Sequence, residues 1–82
     1  MYYLYVIINE GGKTYVGQTN NLSYRIALHN SNKVASTKNK GPWQIVHKEI
    51  YPTGAEAMSR EKYFKQGAGY RYLKELTSRG VA

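Results

Sequence analysis

The chain has 82 residues, enough for one small domain with a modest core and too few for a second module. It has no cysteine, which excludes disulfides and thiolate metal sites, and its longest apolar run, Leu4 to Ile8, is far too short to span a bilayer. Twelve Lys and Arg against five Glu and no Asp give a net charge of +7, which points to a polyanionic partner and, with nine tyrosines, to phosphate contacts or base stacking. With no signal-peptide pattern at the N-terminus, the expectation is a single domain over residues 1–82, cytoplasmic and not bound to a membrane.

Two runs rich in aromatic and β-branched residues, Tyr2 to Ile8 and Lys13 to Thr19, flank "NEGG" and predict a β-hairpin. A two-residue turn at Gly11 and Gly12 would send Tyr5 and Tyr15 to opposite faces. A three-residue loop, Glu10 to Gly12, with a glycine in the left-handed conformation pairs Asn9 with Lys13 and brings both tyrosines to one face. The second register is favoured, because Leu4, Val6 and Ile8 then share the other face with Thr14 and Val16. Gly17 falls beside Tyr15 on the tyrosine face, where a missing side chain leaves room for close approach.

The next segment, "NNLSYRIALHNSN", offers Asn20 or Asn21 as a helix cap, with Leu22 and Ile26 as its apolar stripe and Arg25 and His29 four apart on one side. "SNKVASTKNKGP", Ser31 to Pro42, reads as a mobile basic loop whose Ser36, Thr37, Lys38 and Lys40 are candidate phosphate contacts. A third strand, Trp43 to Tyr51, contains His47, which has no supporting set of residues and is given no role. Thr53 and Glu56 are spaced as a capping box that opens a helix, and a last basic helix is expected from Tyr70 to Ser78.

Within the Thr53 helix, Ala57, Met58, Glu61 and Phe64 form one stripe, so a carboxylate stands where an apolar residue is expected. An unpaired carboxylate near a core is costly, and Glu61 must face either a cation of the protein, Arg25 or a lysine, or a bound metal ion. The pattern leaves both open.

Taken in order, Tyr3-Leu4-Tyr5, Tyr15-Val16-Gly17, an arginine and a histidine on the first helix and a glutamate on the later one resemble the GIY-YIG nuclease domain, over nearly the whole chain. The stretches "NNLSYRIALHN", "STKNKGPW" and "EAMSREKYFK" are similar to small stand-alone bacterial members. The resemblance implies an α+β fold of order β-β-α-β-α-α, a three-stranded antiparallel sheet flanked by helices. It also implies hydrolysis of DNA phosphodiester bonds with one divalent metal ion, Mg²⁺ or Mn²⁺. Because the chain has no room for a further recognition domain, the expected endonuclease is structure-selective or nonspecific, with branched or single-stranded DNA as candidate substrates. Tyr5 and Tyr15 correspond to the motif tyrosines, Arg25 to the helix arginine, His29 to a commonly placed histidine and Glu61 to the metal-binding glutamate.

In chemical terms, Tyr15 would take a proton from water, Tyr5 would orient the water or the phosphate, and Arg25 would make a forked phosphate contact. Two departures stand out: Tyr3 replaces the glycine that opens the first motif, and no asparagine follows Asn39, where many relatives carry one near the C-terminus. The alternative is a noncatalytic nucleic-acid-binding module on the same fold.

Overall fold

A computed structural model describes residues 1–80, with side chains as far as Leu76; the final two residues of the expected 1–82 domain lie outside the described residues. Strands β1 (Tyr2–Ile8), β2 (Thr14–Thr19) and β3 (Gln44–Tyr51) form an antiparallel sheet of order β2-β1-β3. Helix α1 (Leu22–Asn30) follows β2, and α2 (Gly54–Phe64) and α3 (Gly67–Gly80) follow β3. This is the expected β-β-α-β-α-α order.

The hairpin closes on Asn9 and Lys13. The Asn9 amide donates to the Lys13 carbonyl at 3.0 Å, the Lys13 amide donates to Asn9 Oδ1 at 2.8 Å, and Gly12 takes φ +84°. Tyr5 therefore pairs with Gly17 and Ile7 with Tyr15, the three-residue-loop register that puts both tyrosines on one face. Tyr3, at the position of the motif glycine, pairs regularly with Thr19 on one side and Ile50 on the other.

As the central strand, β1 is covered on both sides, which explains why Leu4 to Ile8 is a continuous apolar run. Leu4, Val6 and Val16 pack on Phe64 and Leu73 of the two later helices. On the opposite face, Tyr5, Ile7 and Trp43 pack with Tyr15 and with Leu22 and Ile26 of α1. Asn21 caps α1 by accepting from the Tyr24 amide, and Thr53 caps α2 by accepting from the Glu56 amide.

Three expectations need correction. Met58 is 47 % exposed, so the buried stripe of α2 narrows to Ala57 and Phe64. Helix α3 starts three residues before Tyr70, at Gly67, and Gly69 packs so closely on the Tyr63 carbonyl that a Cβ there would overlap it, so the absence of a side chain makes the α2–α3 corner possible. His47 does have partners, since its Nε2 lies 2.8 Å from Glu49 Oε2 and its ring meets Phe64 and Tyr72 edge-on.

Glu49 joins β3 to α2. Arg60 donates to both of its oxygens, at 2.8 and 3.1 Å, and Tyr51 donates to Oε1 at 2.6 Å. Burial alone would raise the Glu49 carboxyl, but hydrogen bonds from Arg60, His47 and Tyr51 outweigh it and hold the group down at about 2, from an ordinary 4.5. A carboxyl lowered in the folded state stabilises above its unfolded value and loses that contribution as pH falls. Thermal melts should thus show stability declining from about pH 4.5 toward pH 2, and Glu49→Gln should flatten that decline while costing about 1–3 kcal/mol at neutral pH.

Candidate active site

The site is assembled on the face of the sheet that carries Tyr5 and Tyr15. Gly17, directly across from Tyr5, sets the spacing: a Cβ there would lie 2.6 Å from Tyr5 Oη and 2.9 Å from a Tyr15 ring carbon. Without it, the two rings approach to 6.2 Å between centroids. Helix α1 then lays Arg25 and His29, one turn apart, over the pair.

His29 is fully buried. One ring nitrogen, Nε2, is 2.7 Å from Tyr5 Oη, and the other, Nδ1, is 2.8 Å from Thr37 Oγ1. Its ring also lies 4.8 Å from that of Tyr15. Burial, and then the positive charge of Arg25, lowers the imidazole below its ordinary value, so His29 is neutral at physiological pH.

Tyr5 is fully buried as well, and burial raises its phenol to about 12 against the opposing pull of Arg25, with Tyr15 and Glu61 close enough to add to the rise. The Arg25 guanidinium is held even more firmly charged than usual, first by its contact with Tyr5 and then, against the cost of burial, by Tyr15. It makes no ion pair among the described residues, and its Nε is buried without a hydrogen-bond partner. A cation so placed is suited to an anion.

Glu61 approaches this group from α2 and pairs with Lys65 at 2.9 Å. Of the two partners left open by the sequence, the protein supplies a cation, and it is a lysine one helical turn away rather than Arg25. The Lys65 side chain is 54 % exposed, which makes the pair a surface one that a divalent ion can displace at little cost. Among the described residues no three His, Cys, Asp or Glu side chains lie together as a metal cage. The donor set fits a hard ion that keeps most of its water shell and takes one carboxylate, as Mg²⁺ does.

The structure thus gathers Tyr5, Tyr15, Arg25 and His29, with the Glu61 carboxylate within electrostatic reach. The enclosure of Tyr5 does not fit a direct contact with water or phosphate; its hydroxyl faces His29 and Arg25 instead. In the loop, Ser36, Lys38 and Lys40 are exposed but Thr37 is 1 % exposed, so it is not offered to a phosphate. The loop is also tied down rather than mobile, with Asn39 donating to Asn32 Oδ1 at 2.8 Å and Asn9 donating to the Lys40 carbonyl at 2.8 Å. Sequence reasoning missed Lys48, the exposed cross-strand neighbour of Tyr5, because its register depends on a bulge between the pairs Val6–His47 and Ile7–Ile45.

A model of the GIY-YIG catalytic domain matches residues 1–72 of the chain. The chain belongs to the GIY-YIG family. Among its GIY-YIG relatives, a UPF0213 protein of Clostridium perfringens is 34 % identical over 82 residues, covering 99 % of this chain and 88 % of its own. A UPF0213 protein of Staphylococcus haemolyticus is 34 % identical over 79 residues, covering 95 % and 96 %. The solution NMR structure of the UPF0213 protein BH0048 from Bacillus halodurans superposes with a TM-score of 0.56 at 31 % identity, covering 95 % of this chain and 84 % of that one.

A methyl group at position 17 has no room between the two GIY-YIG tyrosines. Gly17→Ala should cost about 1–3 kcal/mol in a denaturant melt and break the Tyr5–His29 contact, visible as a shift of the His29 ring resonances. Unchanged stability and ring shifts would contradict the packing.

Proposed function

We propose that this domain is a divalent-metal-dependent endonuclease that hydrolyses DNA phosphodiester bonds, without strong sequence preference. The observation that carries the reading is a charged arginine that makes no ion pair among the described residues, set beside two phenols and a neutral imidazole, with one displaceable carboxylate nearby. Membership of the GIY-YIG family supports it.

Each step of phosphodiester hydrolysis then has a group. Arg25 forks onto the phosphate and neutralises the charge that grows on its oxygens at the transition state. Tyr15, half-buried, is the phenol that an entering water can reach. Acting as the phenolate, its own proton given up to solvent, it takes the water proton as the water attacks phosphorus, and the phosphorus–oxygen bond to the leaving alkoxide breaks with that oxygen taking a proton from solvent. Tyr5 and His29 hold Arg25 and Tyr15 in place. Glu61 would hold the metal ion, which when bound supplies positive charge to the phosphate and lowers the pKa of a water. Ser36, Lys38 and Lys40 grip the backbone on the loop side and carry no base readout.

A second reading, a noncatalytic nucleic-acid binder, is favoured by the pairing of Glu61 with Lys65, since a carboxylate satisfied within the protein needs no metal.

Glu61→Gln separates the two. If Glu61 holds the ion, cleavage of supercoiled and branched DNA in Mg²⁺ should fall about 100-fold or more, melting should be nearly unchanged, and binding measured in chelator should be equal or tighter. Cleavage at the parental rate would sink the metal role. In a separate anisotropy titration against salt, the Lys38→Ala/Lys40→Ala double variant should bind all DNA sequences more weakly and reduce the salt slope by about 2. An unchanged slope would make the loop a bystander.

A further inference from the structure

We propose that Thr37, from the "STKNK" loop, is a positioning residue: its hydroxyl accepts the Nδ1 proton of His29 and fixes the imidazole in the single tautomer that lets Tyr5 donate to Nε2. The effect on catalysis rests on the nuclease reading; the hydrogen-bond assignment does not.

The chain of contacts runs from Tyr5 Oη to His29 Nε2 at 2.7 Å, from His29 Nδ1 to Thr37 Oγ1 at 2.8 Å, and from Thr37 Oγ1 to the Val34 carbonyl at 3.4 Å. Tyr5, His29 and Thr37 can each both donate and accept, so the middle of the chain has no direction of its own. The carbonyl end does. A carbonyl only accepts, so it imposes the polarity of the whole: Thr37 O–H to Val34 O, Nδ1–H to Thr37 O, and Tyr5 O–H to Nε2. In the other tautomer Nε2–H would point at Tyr5, and the phenolic proton would have to turn toward a cation or remain buried without a partner. The neutral state of His29 is the state this chain requires.

Thr37 is well held for the task. Its amide donates to the Val34 carbonyl at 3.1 Å, and its own carbonyl accepts from the Lys40 amide at 3.2 Å and from the buried Trp43 indole at 3.4 Å. It is flanked by exposed Ser36 and Lys38, so the segment placed to touch DNA also sets the polarity of the tyrosine face. The same loop links the two.

The test uses the full chain labelled with ¹⁵N-histidine at a pH where His29 is neutral, with His47→Gln assigning the two rings. The wild type should show His29 as the Nδ1–H tautomer, with Nε2 unprotonated. Thr37→Val, similar in shape but without the hydroxyl, should lose that single tautomer and slow single-turnover cleavage about tenfold or more with DNA affinity unchanged, whereas Thr37→Ser should restore both. An Nε2–H tautomer in the wild type overturns the proposal, as does a Thr37→Val protein that keeps the Nδ1–H tautomer and the parental rate. If the wild type cuts no DNA, the nuclease reading falls while the tautomer result still decides the anchoring. If Thr37→Val does not fold, the wild-type tautomer and the Thr37→Ser protein carry the decision.

Discussion

The structure depends on the register of the first hairpin. Because Asn9 closes on Lys13, Tyr5 faces Gly17 and Tyr15 falls on the same side of the sheet. A slip of one residue would move Tyr15 to the face covered by α2 and α3 and Val16 out of its core, exchanging a site and a cluster in one step. Apolar burial at Leu4, Val6 and Val16 therefore enforces the register, and the register places the chemistry. Gly17 completes it by giving up a side chain where two phenols must meet.

The two arginines in contact with the sheet show how the fold separates stability from reactivity. Arg60, on the α2 side, is matched by both oxygens of Glu49 and rests its guanidinium 4.5 and 4.8 Å from the Tyr63 and Phe64 ring centres. Its charge is satisfied and serves to fasten α2 to β3. Arg25, on the opposite face, has phenols and a neutral imidazole for neighbours and one buried nitrogen without a partner. The first arrangement has little to offer an incoming phosphate. The second leaves a cation that makes no ion pair with a carboxylate among the described residues.

Local patterns made much of this legible. The hairpin, its loop, the Asn21 and Thr53 caps and the Arg25–His29 spacing all follow from residues within a turn or two of one another, and such interactions are written in sequence. What stayed hidden requires distant segments to meet. Thr37 looked like a loop residue because nothing in "SNKVASTKNKGP" is periodic; only the fold puts it against His29 and beneath Trp43. His47 looked idle because its ring partners are on α2 and α3 and its facing depends on the β3 bulge. Met58 was misread because helix periodicity does not say which edge of a stripe the neighbouring element covers, and the start of α3 because the packing of Gly69 on the Tyr63 carbonyl is a contact between two helices.

On the nuclease reading the Arg25 guanidinium, which makes no ion pair among the described residues, acts on a phosphate at the transition state, and Arg25→Lys tests that most directly by keeping the charge and removing the planar fork. Under single-turnover conditions with Mg²⁺ and excess protein, the rate of DNA cleavage should fall about 100-fold while DNA affinity stays within a few-fold of the parent. Cleavage by Arg25→Lys at the parental rate would contradict the account.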